Sequence, residues 1–143
     1  MKQIYLLLFG VLFFVGCHDT KIGYLKTENA SYGIDSLIIR KELDMTNVDD
    51  KNRVEKEIPG LTDNIQGVLG TAPIRYKLSG VKAPSVEAET IFLKEFKVRG
   101  GGRMELPLYT ELPVGRYVVS LYLSNEDYSA VLTDVYTFIV KEK

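Results

Sequence analysis

Along residues 112–125 the side chains alternate. Tyr117, Val119, Leu121 and Leu123 fall on one side and Val118, Ser120 and Tyr122 on the other, which is the two-residue period of a β-strand. Leu112-Pro113-Val114-Gly115 supplies a turn before it. Burying the first set contributes on the order of 1.5–3 kcal/mol per side chain, so the stretch predicts a central strand and the middle of a core. The same period recurs elsewhere. Ile74-Arg75-Tyr76-Lys77-Leu78 puts apolar groups on even positions and cations on odd ones, and Met104-Glu105-Leu106-Pro107-Leu108 is again apolar on even positions. Residues 134–140 put Tyr136, Phe138 and Val140 on one face, and residues 35–41 do the same with Leu37 and Ile39. Residues 22–26 read as an edge-like strand. Ile91-Phe92-Leu93 and Phe96-Lys97-Val98 read as another, bulged at Lys94-Glu95.

Residues 44–72 carry no such period. Val54 and Ile58 are one helical turn apart, but Pro59 stops a helix there. A structureless run of that length is unusual inside a compact domain, so a short strand or a turn of helix is expected within it. About seven short strands, separated by turn signals and with no repeat or long helical period, predict an all-β fold, an antiparallel two-sheet β-sandwich.

Composition narrows the classes. The 143 residues suit one domain, and 45% apolar residues with nine tyrosines give it a core. Lys and Arg total 18 against 19 Asp and Glu, with no block of like charge longer than two residues, which argues against nucleic acid as a partner. At the start, Met1-Lys2-Gln3 is positive and residues 4–15 form an apolar run of twelve. A bilayer-spanning helix needs about 20, so the run reads as the hydrophobic part of a signal peptide.

Phe14-Val15-Gly16-Cys17 resembles a lipobox, with a small residue before the chain's single cysteine at the end of the apolar run. The resemblance is to bacterial lipoprotein precursors. It implies diacylglycerol on the Cys17 thiol, cleavage after Gly16 and acylation of the new N-terminus by palmitate or a similar chain. Phe14 stands where leucine is usual, a departure the Bacteroidetes type tolerates. Physically, one acyl chain at about 0.8 kcal/mol per buried CH₂ holds a protein only marginally, whereas two or three anchor it. The expected organisation is a lipoprotein signal peptide over 1–16, a lipidated tether over 17–21 and a β-sandwich domain over 22–143.

Gly115-Arg116-Tyr117 resembles the tyrosine corner of immunoglobulin-like domains, where a tyrosine near the start of the sixth strand bonds back to the preceding loop. Together with the lipobox, Gly70-Thr71-Ala72-Pro73 and the Pro-x-Gly-x-Tyr strand, it makes the chain resemble small Bacteroidetes-type surface lipoproteins with immunoglobulin-like or cadherin-like domains. The resemblance implies an outer-membrane location and a role in binding or assembly, and it transfers no site residue except Cys17. Asp35-Ser36-Leu37 also resembles the site such proteins O-glycosylate, which makes Ser36 a candidate for modification.

Candidate chemistry is sparse. Nucleophilic catalysis needs a base near neutral pKa, and the single histidine, His18, stands beside the anchor. Zinc needs several Cys or His ligands, and the chain has one of each. Glu87/Glu89, Glu126/Asp127 and Asp49/Asp50 are carboxylate pairs in polar surroundings that do not raise a pKa. Gly100-Gly101-Gly102, between Arg99 and Arg103, has the composition of an anion cradle, but such loops lead into a helix and this one lies between strands, as a hairpin turn does. Asp49-Asp50-Lys51-Asn52 and Asn125-Glu126-Asp127 lack the spacing of a calcium loop and read as solvated turns. The reading therefore names no catalytic residue, metal site or cofactor.

Tyr109, Tyr122 and Tyr128 are the remaining lead, because tyrosines at strand ends and on outer faces stack on sugars; their structural use is in cross-strand pairs. The expected function is an outer-membrane-anchored lipoprotein, not an enzyme, that acts as a binding or recognition module for a glycan or protein ligand at the cell surface. The alternative is a structural lipoprotein that scaffolds an envelope or uptake complex. A carboxylate-dependent glycoside hydrolase comes third and requires two carboxyls about 5–9.5 Å apart in a cleft. Gathering of the three tyrosines in a groove favours recognition, and dispersal favours scaffolding.

Overall fold

The computed structural model describes residues 20–143. Their strands are β1 (Leu25–Lys26), β2 (Ser36–Arg40), β3 (Gly60–Leu61), β4 (Leu69–Gly70), β5 (Arg75–Lys82), β6 (Lys97–Val98), β7 (Met104–Leu106), β8 (Gly115–Ser124) and β9 (Ser129–Lys141), with helices α1 (Val48–Glu55) and α2 (Val86–Glu95). A large sheet has the order β2-β9-β8-β5, a smaller one β3-β7-β6, and β1 pairs with β4 in a separate ribbon. This is the all-β sandwich the alternation predicts, with nine strands rather than seven. It also departs from a purely antiparallel arrangement. β2 runs parallel to β9, from Ser36 opposite Thr137 to Arg40 opposite Lys141. Alternation says which side a residue faces and nothing about strand direction.

β8 is the middle of the core. Tyr117, Val119, Leu121 and Leu123 are all 0% exposed, and they meet Met104 and Leu106 of β7 and Phe138 and Val140 of β9. The expected tyrosine corner is present, with the Tyr117 hydroxyl donating to the Pro113 carbonyl at 2.8 Å. The hairpin at Gly100–Gly102 is present too, as a turn of 3₁₀-helix between β6 and β7. Its carbonyls are taken internally: Gly101 accepts from the Ile65 N–H at 2.9 Å and Gly102 from the Tyr32 hydroxyl. Gly102 has φ +72°, and a Cβ there would lie 2.7 Å from the Ile65 side chain, so both backbone shape and space call for glycine.

One expected strand is a helix. Ile91-Phe92-Leu93 lies within α2, whose N-cap Ser85 accepts from the Ala88 N–H at 3.1 Å, with Glu87 and Glu89 in the first turn. Those carboxylates therefore sit at the positive end of a helix, where they stabilise it. Ala88 and Phe92, four residues apart on one face, are both fully buried. Phe92 stacks on Tyr117 with ring centroids 5.5 Å apart and on Phe96 at 4.8 Å, so the helix closes one side of the sandwich with aromatic rings.

Residues 44–72 hold both a helix and strands. Asn47 caps α1, its side-chain oxygen accepting from the Asp49 N–H at 2.9 Å and the Asp50 N–H at 3.3 Å, and the helix ends before Pro59 as expected. β3 pairs with β7, β4 with β1. The first strand is shorter than residues 22–26, reduced to Leu25–Lys26. On the smaller sheet Glu105, buried in its middle strand, accepts from Arg99 across the β6–β7 hairpin. That hydrogen bond holds its carboxyl below the usual carboxylate range. Burial pushes the Tyr136 hydroxyl up to about 12, so it stays neutral beside Phe138 in the core.

Candidate functional site

The outer face of the large sheet is uncovered. Strand register sets Lys77 of β5 opposite Tyr122 of β8, and Tyr122 opposite Val131 of β9, so one row crosses three strands with an aromatic ring at its centre. Arg75 lies two residues from Lys77, on the same side and exposed. Beside this row the strands become irregular at one level: β5 shifts register between Leu78 and Gly80, β8 between Val119 and Leu121, and Asp134 of β9 takes φ 52°. The Ser120 hydroxyl accepts from the Asp134 N–H at 2.9 Å, which fixes the bulge. A shallow depression of about 280 Å³ results, lined by Ser79, Gly80, Lys82, Ser120, Val131 and Thr133. Bulges at such a level re-aim side chains and open a flat sheet face. A ring, flanking cations and several hydroxyls on an open surface can stack on and hydrogen-bond a hydrophilic ligand without desolvating a deep cavity.

The three candidate tyrosines are not gathered. Tyr122 is half-buried on this face. Tyr128 sits in the β8–β9 turn with the Lys21 ammonium 5.6 Å from its ring centre. Tyr109, 67% exposed, precedes β8 at the other end, on a loop pinned where the Thr110 hydroxyl and Glu111 N–H donate to Glu95 at the end of α2, at 2.5 and 2.9 Å. The ten residues of β8 separate the two ends by about 30 Å. Ser36 begins β2 and is half-buried. Cys17 and the expected signal peptide lie outside the described residues.

The acidic stretches have structural uses. Asn125 is buried; its side-chain amide donates to the Tyr24 carbonyl at 2.8 Å and its oxygen accepts from the Tyr128 N–H at 2.9 Å, tying the N-terminal lead to the β8–β9 turn. Asp127 accepts from the Ile22 N–H at 2.7 Å. Asp50 is 2% exposed and accepts from the Asp44 N–H at 3.1 Å, with Arg40 beside it. These residues border a depression of about 530 Å³ lined also by Glu42, Asn47 and Lys143. Asp44 is the wrong acid for glycosidic cleavage. The Thr46 hydroxyl and N–H hold its carboxyl below the usual range, whereas a general acid needs a raised one. Among the described residues no group of three or more His, Cys, Asp or Glu could hold a metal ion.

Sequence reasoning picked out Tyr122 and missed its neighbours. The cationic odd positions of residues 74–78 were the available signal for Arg75 and Lys77; the strand order that sets them beside Tyr122 is not written in either segment alone.

No family model matches the chain, and no curated protein matches it by sequence. By fold it is similar to a SusE-like, surface-located polysaccharide-binding protein from the heparin utilisation locus of Bacteroides thetaiotaomicron, with a TM-score of 0.52 and 14% identity. The likeness covers 85% of this chain but only 15% of the length of that one, so it corresponds to one part of a much larger protein. At that identity the two share a fold.

Proposed function

We propose that the chain is a non-catalytic glycan-binding module held at the cell surface by a lipid on Cys17. The observation that carries this reading is the open outer face of the large sheet, where Tyr122 lies between Lys77 and Val131 beside a hydroxyl-lined depression. The fold likeness to part of a surface-located polysaccharide-binding protein supports it. Binding would be shallow, with sugar rings packed on Tyr122 and hydrogen-bonded at the bulge. Native gels cast with a panel of soluble polysaccharides test it: at least one should retard the full-length protein, and Tyr122→Ala should weaken that retardation about tenfold. If no polysaccharide retards the protein, the glycan reading falls. Anchoring has its own test. Cys17→Ala should shift the protein out of the membrane fraction or leave it unprocessed, and unchanged fractionation would remove the lipid from the account.

A second reading is a lipoprotein that scaffolds an envelope complex. Its support is the separation of Tyr109 from the other two tyrosines and the exposed apolar side chains Val86 and Leu93 of α2 and Val114 of the loop before β8. Protease treatment of intact cells separates the two readings. Digestion from outside favours recognition, and protection until the outer membrane is opened favours scaffolding.

A further inference from the structure

The chain as a whole is close to neutral, with 18 cations against 19 acids. The four strands of the large sheet are not. They carry Arg40, Arg75, Lys77, Lys82, Arg116 and Lys141 against a single acid, Asp134. Their inward positions are apolar, so all six cations belong to the outer face, and the remainder of the molecule is correspondingly acidic. Among the described residues Lys82 is paired with Asp134 and Arg40 with Asp50, whereas Arg75, Lys77, Arg116 and Lys141 have no ion-pair partner. Arg75 and Lys77 stand about 6.7 Å apart along β5, next to Tyr122. Toward the other end Lys82 lies opposite Val118, two residues from Arg116.

Lysines on an edge strand also keep sheets from pairing edge to edge, and β5 is an edge. That accounts for part of β5 and not for Arg116, which lies on the inner strand β8, nor for the near-absence of acids across four strands. An uncompensated array of one sign raises the local concentration of ions of the other. Arginine forks match carboxylate and sulfate oxygens two at a time. Resting on the glycan-binding reading, we propose that this face takes a polyanionic polysaccharide, its sulfate or carboxylate groups meeting Arg75, Lys77 and Arg116 while a sugar ring packs on Tyr122.

The test uses the full-length chain, expressed with its own N-terminal segment, extracted in neutral detergent and run through native gels containing dextran sulfate, polygalacturonate or plain dextran. Retardation by a charged polymer and none by dextran is expected, and which charged polymer acts tells sulfate from carboxylate recognition. R75Q/K77Q/R116Q should weaken it about tenfold or more. K51Q/K56Q/K94Q removes equal charge from the two helices and their ends and should leave it intact. Raising salt from about 0.1 to about 1 M shortens the screening length from about 10 to about 3 Å and should abolish it. Dextran retarding as strongly as dextran sulfate, or equal loss in the two triple variants, overturns the polyanion assignment and leaves glycan binding standing. Duplex DNA displacing the polymer at equal charge overturns it in favour of a nucleic acid. Failure of both charged polymers where a neutral glycan binds overturns this assignment alone, and failure of all glycans overturns the broader reading as well.

Discussion

The two sides of β8 differ in what a change to them does. On one, Tyr117, Val119, Leu121 and Leu123 are wholly excluded from water; on the other, Arg116, Val118, Ser120, Tyr122 and Ser124 are half or fully open. Neighbouring residues of one strand thus face different surroundings, because the two-residue period separates them across the sheet. Cohesion is on the inner side and the proposed ligand surface on the outer, so each should be removable with little effect on the other.

The strongest attempt to break that division is Phe92→Ala, which empties the site where α2 meets Tyr117 and should cost about 3–5 kcal/mol in denaturant unfolding. A cost below about 1 kcal/mol would mean that the helix is an appendage to the core rather than a part of it. Tyr117→Phe keeps the ring and removes only the bond to Pro113, and should cost about 1 kcal/mol. Glu105→Gln should cost slightly less, roughly 0.5–1 kcal/mol at neutral pH, because its arginine partner is largely exposed. Its pH dependence sharpens the assignment. Arg99 holds the Glu105 carboxyl below its unfolded value, so the pair's contribution is complete above the ordinary carboxylate range. That contribution is lost as pH falls through the lowered value, and parent and variant should converge there in acid unfolding. The smallest effect is expected on the outer side: R75Q/K77Q/R116Q should stay within roughly 0.5 kcal/mol of the parent. A large loss there would show that the outer cations stabilise the fold.

Much of the inner side was legible in the sequence, because burial on one face of a strand writes itself as alternation; β8 and the second half of β9 are the clear cases. The tyrosine corner was legible for a similar reason, since a turn and a strand start fix it locally. Phe92 was misread. Three apolar residues in a row fit a buried helix as well as a strand, and the deciding signals were Ser85 and the acids that follow it. The outer side was only half legible. A chain with balanced charge gives no hint that its cations are sorted onto one sheet, since sorting depends on which strands become neighbours. Arg116 joins Lys82 only through the β5–β8 pairing.

The parallel pairing of β2 with β9 also governs when the large sheet can be completed. Ser36 waits for Thr137 and Arg40 for Lys141, so the sheet opened near one end of the chain is completed only by residues near the other. Pairings so distant in sequence form late and slowly. Until β9 is made, β8 can already pair with β5, but β2 has no strand of the large sheet beside it. The last strand therefore acts as a clasp: the large sheet takes in its N-terminal strand only once the final residues of the chain are in place.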